Sequence, residues 1–101
     1  MATLYIEEYD LSPPITGGEI LQIASQPAVT QQTVSIGSST QSSAFNAATN
    51  YVRLHTDATC HVLFGTNPTA TTSKARMVAD STEYFRVPRG TSMKVAVIAA
   101  A

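Results

Sequence analysis

"VRLHTDATCHVLFG", residues 52–65, carries two runs of alternating apolar and polar side chains around a short polar break. Successive side chains of an extended chain point to opposite faces, so Val52 and Leu54 share a face, as do Cys60, Val62 and Phe64. If all five look into one core and the two runs pair as a hairpin, Leu54 stands opposite Cys60 and Val52 opposite Val62. A two-residue turn would place one run's side chains on the wrong face, because a one-residue slip flips the whole strand. The pattern therefore predicts a hairpin with an odd loop, most simply residues 56–58 with a bulge.

The same stretch holds His55, Cys60 and His61, three groups capable of chemistry within seven residues. In the hairpin register His61 stands opposite Arg53 on the outer face, and His55 stands beside the loop opposite Thr59. Cys60 points the other way. Zinc needs three or four converging ligands, so no metal site is expected. A nucleophilic cysteine needs a base beside it and an accessible, electropositive setting, and Cys60 reads instead as a small buried hydrophobe. Glu7 and Glu8 face opposite sides of one strand, and Asp10, Glu19, Asp57, Asp80 and Glu83 are isolated. Acid–base catalysis needs positioned carboxylate pairs, and "TGGE" lacks the spacing and lysine of a phosphate loop. The expectation is a protein that is not an enzyme and uses no cofactor. Phe45, Tyr51, Tyr84 and Phe85 could form a sugar-stacking face. With seven aromatic residues and no Trp, core packing is the preferred reading.

Outward from this stretch the chain reads as short strands and turns. "TLYIEEY", residues 3–9, is a strand, and "DLSPPITGG" after it forbids regular structure. Residues 1–27 are read as an extended N-terminal arm with one short strand, and residues 28–101 as the folded domain. "VTQQTVSI", residues 29–36, ends in strict alternation. Residues 37–50 form a long connection anchored by Phe45, and residues 66–74 a polar loop. "ARMVAD" is a short strand or edge piece. "TEYFRV" is a strand with Tyr84 and Arg86 on one face, Phe85 and Val87 on the other. "MKVAVIA", residues 93–99, is the most apolar strand and is expected to be central or covered on both sides. Short strands, Gly/Pro/Asn turns and no amphipathic helical window predict an all-β antiparallel sandwich or barrel.

Composition limits the functions available. At 101 residues the chain is one domain, and with one cysteine it has no intrachain disulfide to staple it. Charged residues are 13%, against the usual ~25%. Ser and Thr supply 24 of the 101 residues, and such a surface costs less to desolvate against a partner than one of Lys and Glu. A net charge of −1 with scattered Lys and Arg argues against a nucleic-acid partner, which needs a basic footprint. "MATLYIEEYD" has no positive n-region and meets two glutamates early, so no secretory signal is expected. The longest apolar run, "VAVIAAA", is far short of the ~20 residues of a membrane span, so no membrane partner is expected.

"QTVSIG", "AFNAAT", "VRLHTDATC", "FGTNPTATT", "EYF" and the closing "KVAVI" resemble a family of small virion proteins of tailed bacteriophages and prophages. The resemblance covers residues 32–98, and "VPRG" stands where relatives carry a plainer turn. It implies a jelly-roll-like sandwich acting as a head decoration (cement) protein, made in the host cytoplasm and seated on the capsid exterior. It further implies a homotrimer whose partner is the major capsid protein. The arm, through Leu4, Tyr5 and Ile6, is expected to contact partners. The alternatives are another virion component (a tail or collar adaptor, or a receptor-binding base) and, less favoured, a carbohydrate-binding module.

Overall fold

The computed structural model describes residues 2–10 and 28–100. Eight strands follow one another without a helix among the described residues: β1 Thr3–Tyr9, β2 Thr30–Ser35, β3 Thr40–Gln41, β4 Tyr51–Thr56, β5 Cys60–Gly65, β6 Ala75–Met77, β7 Ser81–Arg86 and β8 Lys94–Ala99. They form two four-stranded sheets, ordered β2-β1-β4-β7 and β3-β8-β5-β6, with every pairing antiparallel.

The predicted hairpin does not form. β4 and β5 lie in different sheets, and residues 57–59 carry the chain from one layer to the other. The apolar pattern is satisfied all the same: Val52, Leu54 and Cys60 are fully buried and Val62 almost so. Their faces meet across the sandwich instead of lying side by side. Leu54 is flanked by Ile6 and Glu83, and Cys60 by Met77 and Ala99. Nor is Thr56 a loop residue. It ends β4, fully buried, and its hydroxyl holds the crossing: Oγ1 donates to the Ala58 carbonyl at 2.5 Å and accepts from the Ala58 amide at 3.2 Å. Cys60 Sγ lies 3.6 Å from the same oxygen. Asp57 closes the outer side, its carboxylate accepting from the Thr3 amide at 2.7 Å. A second crossing, from β6 to β7, leans on the first through the Asp80 amide, which donates to the Thr56 carbonyl at 2.8 Å. Asp80 reaches this position at φ 61°, a conformation Asp tolerates better than most residues.

The strand assigned to an arm is also placed differently. β1 runs between β2 and β4 and pairs with both over nearly its whole length. Leu4 and Ile6 belong to the core, together with Val34, Val52, Leu54, Cys60, Val62, Met77, Val95 and Val97. Each fully buried Leu or Ile contributes roughly 1.5–3 kcal/mol, so β1 is part of the domain rather than an attachment to it. The Pro/Gly-rich stretch and Glu19 lie outside the described residues.

Two further ties define the ends of the sandwich. Glu8, fully buried on the inner face of β1, accepts from the Asn46 amide and the Thr49 hydroxyl, each at 2.8 Å, and from Gln32 Nε2 at 3.2 Å. This carboxylate draws the β3–β4 connection over the core and places Phe45 there beside Phe64, which in turn contacts Phe85. On the other sheet, residues 66–74 strap the outer face of β8 and β5. Gln41 Nε2 donates to the Asn67 side chain and the Pro68 carbonyl, and the His61 ring donates through Nδ1 to the Lys74 carbonyl at 3.0 Å. Ala96, which alternates with Val95 and Val97, is therefore buried as they are. β8 is covered on both sides, as its composition predicts.

Three consequences are measurable by chemical denaturation. Thr56→Val keeps the shape but strips the crossing of its hydroxyl, and is expected to cost about 1–3 kcal/mol. Glu8→Gln keeps one oxygen for the Asn46 amide and Thr49 hydroxyl but turns its own amide toward Gln32 Nε2, itself a donor, and is expected to cost a similar amount. Deleting residues 2–10 removes β1 and both its ladders, and is expected to abolish the cooperative unfolding transition.

Candidate functional site, a tyrosine-bearing sheet face

The register of the β2-β1-β4-β7 sheet fixes what its outer face carries. One row across the strands reads Thr33, Tyr5, His55, Thr82, and the next reads Gln31, Glu7, Arg53, Tyr84. The third adds Tyr9, Tyr51 and Arg86. All four tyrosines of the chain thus lie on this one face, while all three phenylalanines pack inside. The preference for core packing holds for Phe45 and Phe85 but not for Tyr51 and Tyr84. Those two stack face to face on the outside, ring centres 5.8 Å apart and planes 17° from parallel.

The face is ordered by its own contacts. Tyr9 is 2% exposed, lies 6.4 Å from the Tyr51 ring and donates its hydroxyl to Glu7 Oε1 at 2.6 Å. The other Glu7 oxygen accepts from Gln31 Nε2 at 3.1 Å, and Arg53 Nη1 stands 4.0 Å from the carboxylate. Such a partly exposed ion pair adds little stability, and it sets Arg53 beside Glu7 in the middle of the face. His55 shares a 2.8 Å hydrogen bond with the Thr82 hydroxyl and lies 6.1 Å from the Tyr5 ring. Tyr5 is 43% exposed and Tyr84 54%, the two large hydrophobic side chains that this face opens to solvent. Shallow hollows lie on either side of Tyr5, one lined by Glu7, Arg53, His55 and Asp57, the other by Glu7, Gln31, Gln32 and Thr33.

Tyr and Arg are residue types enriched where proteins bind one another, and both stand on this face. Of the three residues expected to touch partners, Tyr5 stands on this face, whereas Leu4 and Ile6 point inward and are buried. Arg53, His55 and Tyr84 join it. The alternation of "NYVRLHT" and "TEYFRV" already put Tyr51, Arg53 and His55 on one side and Tyr84 and Arg86 on another. That β4 and β7 are neighbours could not be read from their sequences.

The chemical groups of the opening stretch do not come together. Neither histidine has the neighbour that a hairpin would give it. His55 lies between Tyr5 and Thr82, and His61, on the other sheet, between Arg76 and Ile98. Cys60 is fully buried between the sheets. Among the described residues no group of three or more His, Cys, Asp or Glu side chains is placed to hold a metal ion. Burial pushes the Cys60 thiol above its ordinary value and the negative charge of Glu83 adds to this, while the Thr56 hydroxyl opposes it. No family model, curated protein or solved structure matches the chain.

A raised thiol value favours the fold only while the unfolded thiol is still protonated. This contribution is intact below the ordinary thiol range and is lost as pH rises through and above it. Native protein at mildly alkaline pH is expected to resist a thiol-specific reagent, and unfolded protein to react fully. Tyr5→Ser and Tyr84→Ser, both at exposed positions but each losing a ring contact, are expected to cost about 0.5–1.5 kcal/mol in denaturant titrations and to leave the protein folded.

Proposed function

We propose that this chain is a structural protein of a tailed-phage virion that decorates the capsid shell, bridges subunits of the major capsid protein and acts without catalysis or cofactor. The observation that carries the reading is the strand pairing. β5 pairs with β6, β4 with β7, β3 with β8 and β2 with β1. This is a long hairpin rolled on itself, with β1 in the place a ninth strand would occupy. The nesting supports a jelly-roll-like sandwich, an architecture recurrent in viral capsid proteins. Fold alone does not carry function. The second support is the resemblance of residues 32–98 to small phage virion proteins.

In this reading the tyrosine face is the docking surface. Tyr5, Tyr84 and Arg53 are the anchors, and the uncharged Ser/Thr surface around them is desolvated at low cost. The protein is held on the exterior of the virion after synthesis in the host cytoplasm. It stabilises the shell because it binds the assembled lattice and not the separated subunits. Self-association supplies burial that so small a domain lacks.

The test is binding of purified protein to shells, assembled without it, of the phage or prophage that encodes it. Wild-type protein is expected to coat them to saturation, and Tyr5→Ser with Tyr84→Ser to weaken binding by about tenfold or more, roughly 1.4 kcal/mol. Undiminished coating by the double variant removes the tyrosine face from the proposal. No coating by wild-type protein overturns the decoration role. Exposed tyrosines beside Glu7 and Arg53 also suit a polysaccharide, and loss of glycan binding in Tyr84→Ser without any shell binding would favour that second reading.

A further inference from the structure

We propose that the edge of β2 left unpaired among the described residues is a self-association site that joins two copies of this chain into one continuous sheet. Ile36 donates to the Ala2 carbonyl in register with the β1–β2 ladder, whereas Val29, which donates to the Glu8 carbonyl beside the Glu8–Thr30 pair, lies one residue out of that register. The alternation of an antiparallel ladder then turns the backbone groups of Thr30, Gln32 and Val34 toward β1. Those of Gln31, Thr33 and Ser35 point away from the sheet. They form a row of donors and acceptors along a six-residue edge.

The other edges are guarded. β3 has two residues and β6 three, too short to template a partner. β7 is as long as β2, but it carries Glu83, on the core-facing side of the edge, and Arg86. Inward charges and short edge strands are the usual means of preventing edge-to-edge pairing. β2, "TQQTVS", has no charge, no proline and no glycine. Antiparallel pairing of two such strands about Thr33 sets Thr33 against its own copy and Gln31 against Ser35 of the second copy. Each of these is a hydrogen-bonded pair, and no like charges meet. The corresponding pairing at β7, about Tyr84, would set Arg86 against Thr82 and the core-facing Glu83 against Phe85 of the second copy, so neither charge would meet an opposite one directly across the seam. The uncharged edge therefore fits a second copy of itself, in a two-fold arrangement that closes after two chains.

The result is an eight-stranded sheet with the tyrosine faces of both copies on one side. It gives an even-numbered assembly, in contrast to the trimer that the family resemblance implies. It holds whatever the joined face binds.

Sedimentation equilibrium of the full chain, with amide exchange at high and low protein concentration, tests this directly. Wild-type protein is expected to be dimeric, with the amides of Gln31, Thr33 and Ser35 protected only at the higher concentration. Thr33→Lys places two ammonium groups at the two-fold axis on the outer face. It is expected to halve the mass and abolish that protection while leaving the thermal midpoint of the monomer near that of dilute wild type. A monomeric wild type, a trimer, or a dimer with these three amides unprotected overturns the inference. Shell binding is measured separately, so failure here is distinguishable from failure of the decoration role.

Discussion

Between Thr56 and Cys60 the chain must leave one sheet and enter the other in three residues. The rest of the architecture follows from that crossing. Once β4 and β5 face each other, β7 and β6 return beside them, and β8 closes against β5 and β3. The β4 edge left over is filled by β1. Thr56 makes the crossing possible because a single hydroxyl satisfies both the carbonyl and the amide of Ala58 at the bend. A bend in this position would otherwise leave buried backbone groups unpaired, at a cost comparable to a lost hydrogen bond each.

The sequence makes the strands legible and leaves their partners hidden, for a physical reason. Alternation reports which side chains are buried, not which sheet buries them. Val52, Leu54, Cys60 and Val62 satisfy a hairpin and a crossing equally well, and the hairpin is the shorter-range solution. The assignment of residues 3–9 to an arm fails in a related way. A Pro/Gly-rich stretch separates them from β2, but that distance in sequence says nothing about distance in space. Leu4, Ile6 and Glu8 alternate toward the core as any interior strand does. The strap over β8 was legible at its apolar end, in "KVAVI", and not at its polar end. Nothing in residues 66–74 advertises that Gln41 and His61 will pin them.

The site shows the same division. The three groups that attract attention in sequence, His55, Cys60 and His61, are dispersed over two outer faces and the core. The tyrosines, scattered at positions 5, 9, 51 and 84, are gathered by strand pairing onto one face. Groups close in sequence are thus far apart in the fold, and groups far apart in sequence are close. The fold instead builds a broad surface of rigid amphipathic rings around one Arg–carboxylate pair, beside a neutral edge able to extend it. A small domain with a thin core gains stability from every surface that it shares, so the contacts proposed above would serve its fold as well as its function.

A reconstruction of the virion to which this chain is proposed to belong, with the chain located in it, tests the account most directly. The account predicts many copies per particle on the outer shell, each with the β2-β1-β4-β7 sheet turned toward the capsid subunits and Tyr5 and Tyr84 at the contact. Density confined to six or twelve copies at the tail or collar, or shell-bound copies with that face turned to solvent, would contradict it.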